Sequence, residues 1–169
     1  GALNIVDTPF PHEPPPFTDQ QMAEYRVRAK TAGLDLEQFP DLAKEMTTPH
    51  VASPDVHVDE KNRRFVMYYH GLESFAQQVT RVATSSDGIH FTSGKEILGR
   101  TYWRAFPHDG ITYALAMPGV FYRSADALSG FQTGPTLFNP DMRHSAIFQR
   151  GSTLYVVWTQ VAADPPERL

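Results

Sequence analysis

A short apolar strand followed by a polar turn recurs three times after residue 50, and this recurrence constrains the fold more than any other feature of the chain. Phe65-Val-Met-Tyr-Tyr69, Thr112-Tyr-Ala-Leu-Ala-Met117 and Leu154-Tyr-Val-Val-Trp-Thr159 are the copies of the strand. Tyr113 stands 48 residues after Phe65, and Tyr155 stands 42 after Tyr113. The polar turn repeats as well: Val120-Phe-Tyr-Arg-Ser-Ala-Asp126 echoes Arg81-Val-Ala-Thr-Ser-Ser-Asp87, with Asp126 39 residues after Asp87. Four short strands in a period of this size are the spacing of a β-propeller blade. Strands apolar on both faces fit that reading, because neighbouring blades cover both sides.

By this count residues 50–98 form one blade, 100–138 a second and 143–169 the start of a third. Residues 1–17, with five prolines, read as the outer strand of a preceding blade and a connector. Residues 18–49 read as a helical insertion. Thr18 and Gln21 form a capping box, Met22, Tyr25, Ala29 and Ala32 recur at helical spacing, and Gly33 supplies the stop. A second, shorter helix is expected over Pro40–Met46, with Pro40 in its first turn. The expectation is a single mainly-β domain over 1–169, a partial propeller of about two and a half to three blades where closed rings have four to eight. Such a chain reads as a piece of a longer protein.

Charge and composition narrow the functions. The chain has 15 Lys and Arg against 19 Asp and Glu, for a net charge of -4 with both signs interspersed, which argues against nucleic acid as a partner. Without cysteine there is no disulfide framework, thiolate zinc site or cysteine nucleophile, so any metal would rest on His, carboxylates or carbonyls. The longest apolar run, Ile111 to Tyr122, is broken by Pro118 and Gly119 and is shorter than the roughly 20 residues of a membrane-spanning helix. No membrane partner is expected. The reading is of a soluble chain, with cytoplasm and secretion both open.

The hairpin Ala52–Gly71 carries the first candidate chemistry. Asp55 and His57 lie two apart, so on an extended strand they leave the same face. An acid and an imidazole so placed can hold a ligand, a metal or a proton; equally, the acid can cap a turn and the imidazole can pack between strands.

Ser53-Pro54-Asp55, FVMYYHG and RVATSSDGIHF together resemble the second blade of the five-bladed propeller glycoside hydrolases, the superfamily of arabinanases, β-xylosidases, levansucrases and invertases. With YALAMPGVFYRS, GPTLFNPDMRHSAIF and LYVVWTQ, the chain is similar to a group of uncharacterised bacterial propeller proteins related to family 43. The resemblance implies a five-bladed fold and a carbohydrate ligand in a funnel at the ring axis. It matches Asp55 to the carboxylate that orients substrate and tunes the acid, in a reaction that needs opposed acid and base across the glycosidic bond. The base would lie upstream of Gly1. Where the general acid is expected, Tyr102-Trp-Arg-Ala-Phe-Pro-His108 contains no Glu, and Glu96 precedes the strand. Arg104 stands there instead, and a guanidinium does not donate a proton at neutral pH, although it binds carboxylates and phosphates.

The resulting site places Asp55 as the catalytic carboxylate and His57, His70, Trp103, Arg104, Arg143 and His144 against substrate. His70 and His108 are read as turn or rim residues, and Tyr68, Tyr69, Tyr102 and Trp103 as stacking surface or core. No cofactor is required. His144 resembles the inner-strand histidine that faces a central ion or water, so an axial Ca2+ or other ion near it is one expectation, and a core imidazole is the other. Three functions follow: a glycosidase-like protein whose fragment is inactive alone, a non-catalytic saccharide binder or scaffold, and a phosphorylase in which Arg104, Arg143 and His144 hold inorganic phosphate. Open blade faces predict a homodimer.

Overall fold

The structure is a computed structural model that describes residues 4–33, 35–138 and 140–160. It is mainly β, a partial propeller-like arrangement of antiparallel sheets with helices near the N-terminus. The first sheet is built from β1 (Asn4–Val6), β2 (Val51–Asp59), β3 (Arg64–Ser74), β4 (Gln77–Ser85) and β5 (His90–Ser93), in the order β1-β5-β4-β3-β2. The second is the meander β6 (Arg104–His108), β7 (Ile111–Ala116), β8 (Val120–Ser124) and β9 (Gln132–Thr136). A hairpin of β10 (Met142–Arg150) and β11 (Thr153–Gln160) follows. Residues 1–3 and 161–169, which the expected outer strand and third blade include, lie outside the described residues.

One expectation is corrected here. The N-terminal strand does not close a preceding blade; β1 runs parallel to β5, with Ile5 opposite Phe91, on the outer edge of the first sheet. The reason lies in the residues that follow it. Phe10, 3% exposed, sits edge-on to Tyr69 and beneath the Arg81 guanidinium, and Thr8 hydrogen-bonds the Tyr69 hydroxyl. Gly71 makes room for this strap: a Cβ there would stand 2.7 Å from the Phe10 ring and 2.7 Å from the His50 carbonyl oxygen.

The core therefore has two halves, split by the two-residue period of β3. Val66 and Tyr68 point to one side, where they pack with Val82, Leu98, Trp103, Ala114, Ala116, Val120 and Tyr122 between the two sheets. Met67 and Tyr69 point to the other, into a cluster with Phe10, Val79, Ala83 and Phe91. The first side is covered by the next sheet. The second is covered by the N-terminal segment.

α1 (Asp19–Thr31) starts with the expected capping box, in which the Thr18 hydroxyl accepts from Gln21 N and the Gln21 side chain accepts from Thr18 N. Gly33, at φ 76°, ends it. Of its expected apolar face Ala29 is buried, Met22 and Tyr25 are half-buried and Ala32 is exposed. α1 is held instead through the β3–β4 tip, where Phe75 stacks on Phe17 and meets Tyr25 edge-on. The second helix, α2 (Leu42–Thr47), begins later than expected: Asp41 accepts from Lys44 N and caps it, which leaves Pro40 outside.

Candidate functional site

β2, β6 and β10 each lie at an edge of their sheet, and side chains tie each to the next. The Asp55 Oδ2 atom on β2 accepts from Ala105 N on β6 at 2.7 Å and from His57 Nε2 at 2.9 Å. Arg104 on β6 donates from Nε to the Ser145 carbonyl oxygen on β10 at 3.0 Å and from Nη1 to its neighbour Trp103's carbonyl oxygen at 2.7 Å. The inner edges of the three sheets thus converge, with a bulge between Ala52 and Asp55 that re-aims the carboxylate toward β6.

Around this seam the structure assembles a chain of rings. His50 faces His70 at 6.3 Å, His70 faces Tyr102 at 4.9 Å and Tyr102 faces His144 at 4.3 Å, all edge-on. The Arg143 guanidinium lies 5.4 Å from the Tyr102 ring centre and reaches the Tyr102 hydroxyl from Nε and Nη2, at 3.3 and 3.1 Å. Tyr102 holds this position with φ at 58°, a left-handed backbone that an aromatic residue rarely adopts. Burial, reinforced by His50, Arg104, His144 and Arg143, lowers the His70 imidazole to about 4, so it is neutral at pH 7. Its Nδ1 is buried with no hydrogen-bond partner among the described residues.

Asp55 and His57 share a face and pair directly, as an extended strand requires. Arg104, Arg143 and His144 come together about Tyr102. Two expectations are corrected. His70 is not a turn or rim residue: it lies within β3 at 3% exposure, because β3 runs on to Ser74 rather than stopping at Tyr69. Trp103 offers no stacking surface, since at 1% exposure it is enclosed by Tyr68, Tyr122 and Phe131. Tyr68 and Tyr69 are likewise core, and burial raises the Tyr68 phenol above its usual range, with Asp55 and Asp126 adding to the effect. Of the four aromatics only Tyr102 is partly open. His108 does lie at an exposed strand end, beside Asp109 and Gln149. Glu96 accepts from Gly130 N and ties two outer loops.

His50 was missed by the sequence reading, because its place is set by the β2–β3 register, in which Val51 pairs with Gly71 and Ala52 with His70. Beside His144 stand Tyr102 and the Arg143 cation, and among the described residues no group of three His, Asp or Glu side chains could hold a metal.

The sheets and their ties are those of a partial β-propeller-like fold. Among solved structures it is similar to a GH32 β-fructofuranosidase of Bombyx mori, with a TM-score of 0.51 and 16% identity over 67% of this chain and 30% of that one. In sequence it is 29% identical over 153 residues to an uncharacterised protein of Acanthamoeba polyphaga mimivirus, covering 79% of this chain and 42% of that protein. The chain thus spans less than half of the relative it matches. No protein-family model matches it.

Proposed function

We propose that this chain forms the saccharide-recognising wall of a glycoside hydrolase-like propeller, and that the residues it holds orient a sugar rather than cleave it. The observation that carries this reading is the engagement of Asp55. One of its oxygens already accepts from Ala105 N and His57, so the carboxylate fastens β2 to β6. Hydrolysis needs two acids with opposed roles. Around Tyr102 the neighbours are cations and imidazoles, which bind and polarise but supply no such pair. Asp55 is therefore a positioning carboxylate, and the half-buried Tyr102 is the aromatic residue that a sugar would meet.

Calorimetry with xylan, arabinan and fructan oligosaccharides, run beside product analysis on the same sugars and on aryl glycosides, tests this. Binding is expected, with no product from the chain alone, and Tyr102→Ala should weaken it about tenfold. Turnover that Asp55→Asn abolishes while binding persists would overturn the positioning role.

A further inference from the structure

Two guanidiniums stand close to His70 and Tyr102 in a chain that is acidic overall. The whole sequence carries -4, yet Tyr102 meets Arg143, His70 and His144, with His50 and Arg104 close to His70, and the carboxylate of Asp55 is already paired with His57 and a backbone N–H. We propose that the cluster around Tyr102 recognises an oxyanion carried by the saccharide, either the carboxylate of a uronic acid or a sugar phosphate. This rests on the reading that the site takes a sugar, and it names the class.

Three features support it independently of charge. Two backbone carbonyls fix the plane of the Arg104 guanidinium, and a planar fork held rigid is suited to a planar or tetrahedral oxyanion because little entropy is lost when the ligand arrives. The Tyr102 hydroxyl accepts from Arg143, so its own proton remains a donor for a ligand. The His70 imidazole, 3% exposed and edge-on to Tyr102, carries a ring nitrogen with no partner among the described residues. Buried polar atoms are nearly always satisfied, and one left over beside a group of donors marks a place that a ligand or its bound water completes.

Calorimetry at low and physiological salt, with a galacturonate oligomer, glucose 6-phosphate, inorganic phosphate and a neutral xylo-oligosaccharide as probes, decides the matter. An acidic sugar is expected to bind about tenfold tighter than the neutral one, with an advantage that shrinks as salt rises. Comparing the galacturonate and phosphate arms tells which oxyanion the site prefers. Arg143→Gln should cost the acidic probe about tenfold and Tyr102→Phe a few-fold. Arg123→Gln, exposed on β8, should change neither, and circular dichroism confirms that each variant folds. Equal affinity for neutral and acidic sugars, unmoved by Arg143→Gln, overturns the oxyanion site and leaves the saccharide reading standing. Binding of inorganic phosphate without any sugar supports the site and removes the saccharide reading. Silence from every probe removes both.

Discussion

β3 and β11 have nearly interchangeable sequences and opposite surroundings. Phe65-Val-Met-Tyr-Tyr69 is buried on both faces from Val66 onward, whereas Leu154-Tyr-Val-Val-Trp158 alternates between half-buried and exposed, with Tyr155 43% and Val157 42% open. β3 has a strand on each side, a second sheet over one face and the Phe10 strap over the other. β11 has β10 alone as a strand partner among the described residues, and Tyr155 stacks on Phe148, itself 53% exposed. An apolar run thus specifies a strand, and its neighbours determine how much that strand contributes to stability.

The comparison can be broken most forcefully at one tyrosine in each strand. Tyr68→Ala should cost about 3–5 kcal/mol in urea unfolding, by loss of transfer energy and an unfilled cavity between the sheets, whereas Tyr155→Ala should cost under about 1 kcal/mol. Similar losses at both sites would mean that β11 is covered as fully as β3.

A second contrast is in pH. The unfolded His70 titrates near 6.5 and the folded one at about 4, so between these values the unfolded chain binds the extra proton. Its contribution to stability is complete above pH 6.5 and is lost as the pH falls toward 4, by an amount on the order of 3 kcal/mol. Denaturation at stepped pH should show this loss, and His70→Phe should flatten it.

A smaller effect is expected at the seam. Asp55→Ala leaves the Ala105 N–H without its acceptor and should cost about 1–3 kcal/mol, with faster hydrogen exchange at Ala105. Asp55→Asn keeps an acceptor and should recover most of it. The least change in stability belongs to the open apolar face of β10 and β11. We propose that a second copy covers it. Light scattering should then show a dimer that Phe148→Ser and Tyr155→Ser weaken, with unfolding free energy altered by less than about 1 kcal/mol. A monomer at high concentration would show that the face is left open.

Much of the strand order was legible because β3, β4, β7, β8 and β11 carry their own apolar runs and polar turns, and the helix start was legible because Thr18 and Gln21 satisfy each other locally. That Asp55 and His57 share a face was legible for the same reason, since two residues on one strand face need only the strand; their direct pairing came from the structure. The burial of His70 and the enclosure of Trp103 were not. Both depend on which sheet lies opposite, and histidine and tryptophan suit a core and a rim equally well.

By itself, then, the amino-acid order determined what short-range periodicity and capping can encode: the strands, their turns, the first helix and the sharing of one face by Asp55 and His57. Only the tertiary structure decided that Phe10 takes the place of a neighbouring blade, that Asp55 fastens β2 to β6, and that His50, His70, Tyr102, Arg104, Arg143 and His144 meet. Those groups are brought together by sheet register and sheet packing, which depend on residues dozens of positions apart rather than on any local pattern.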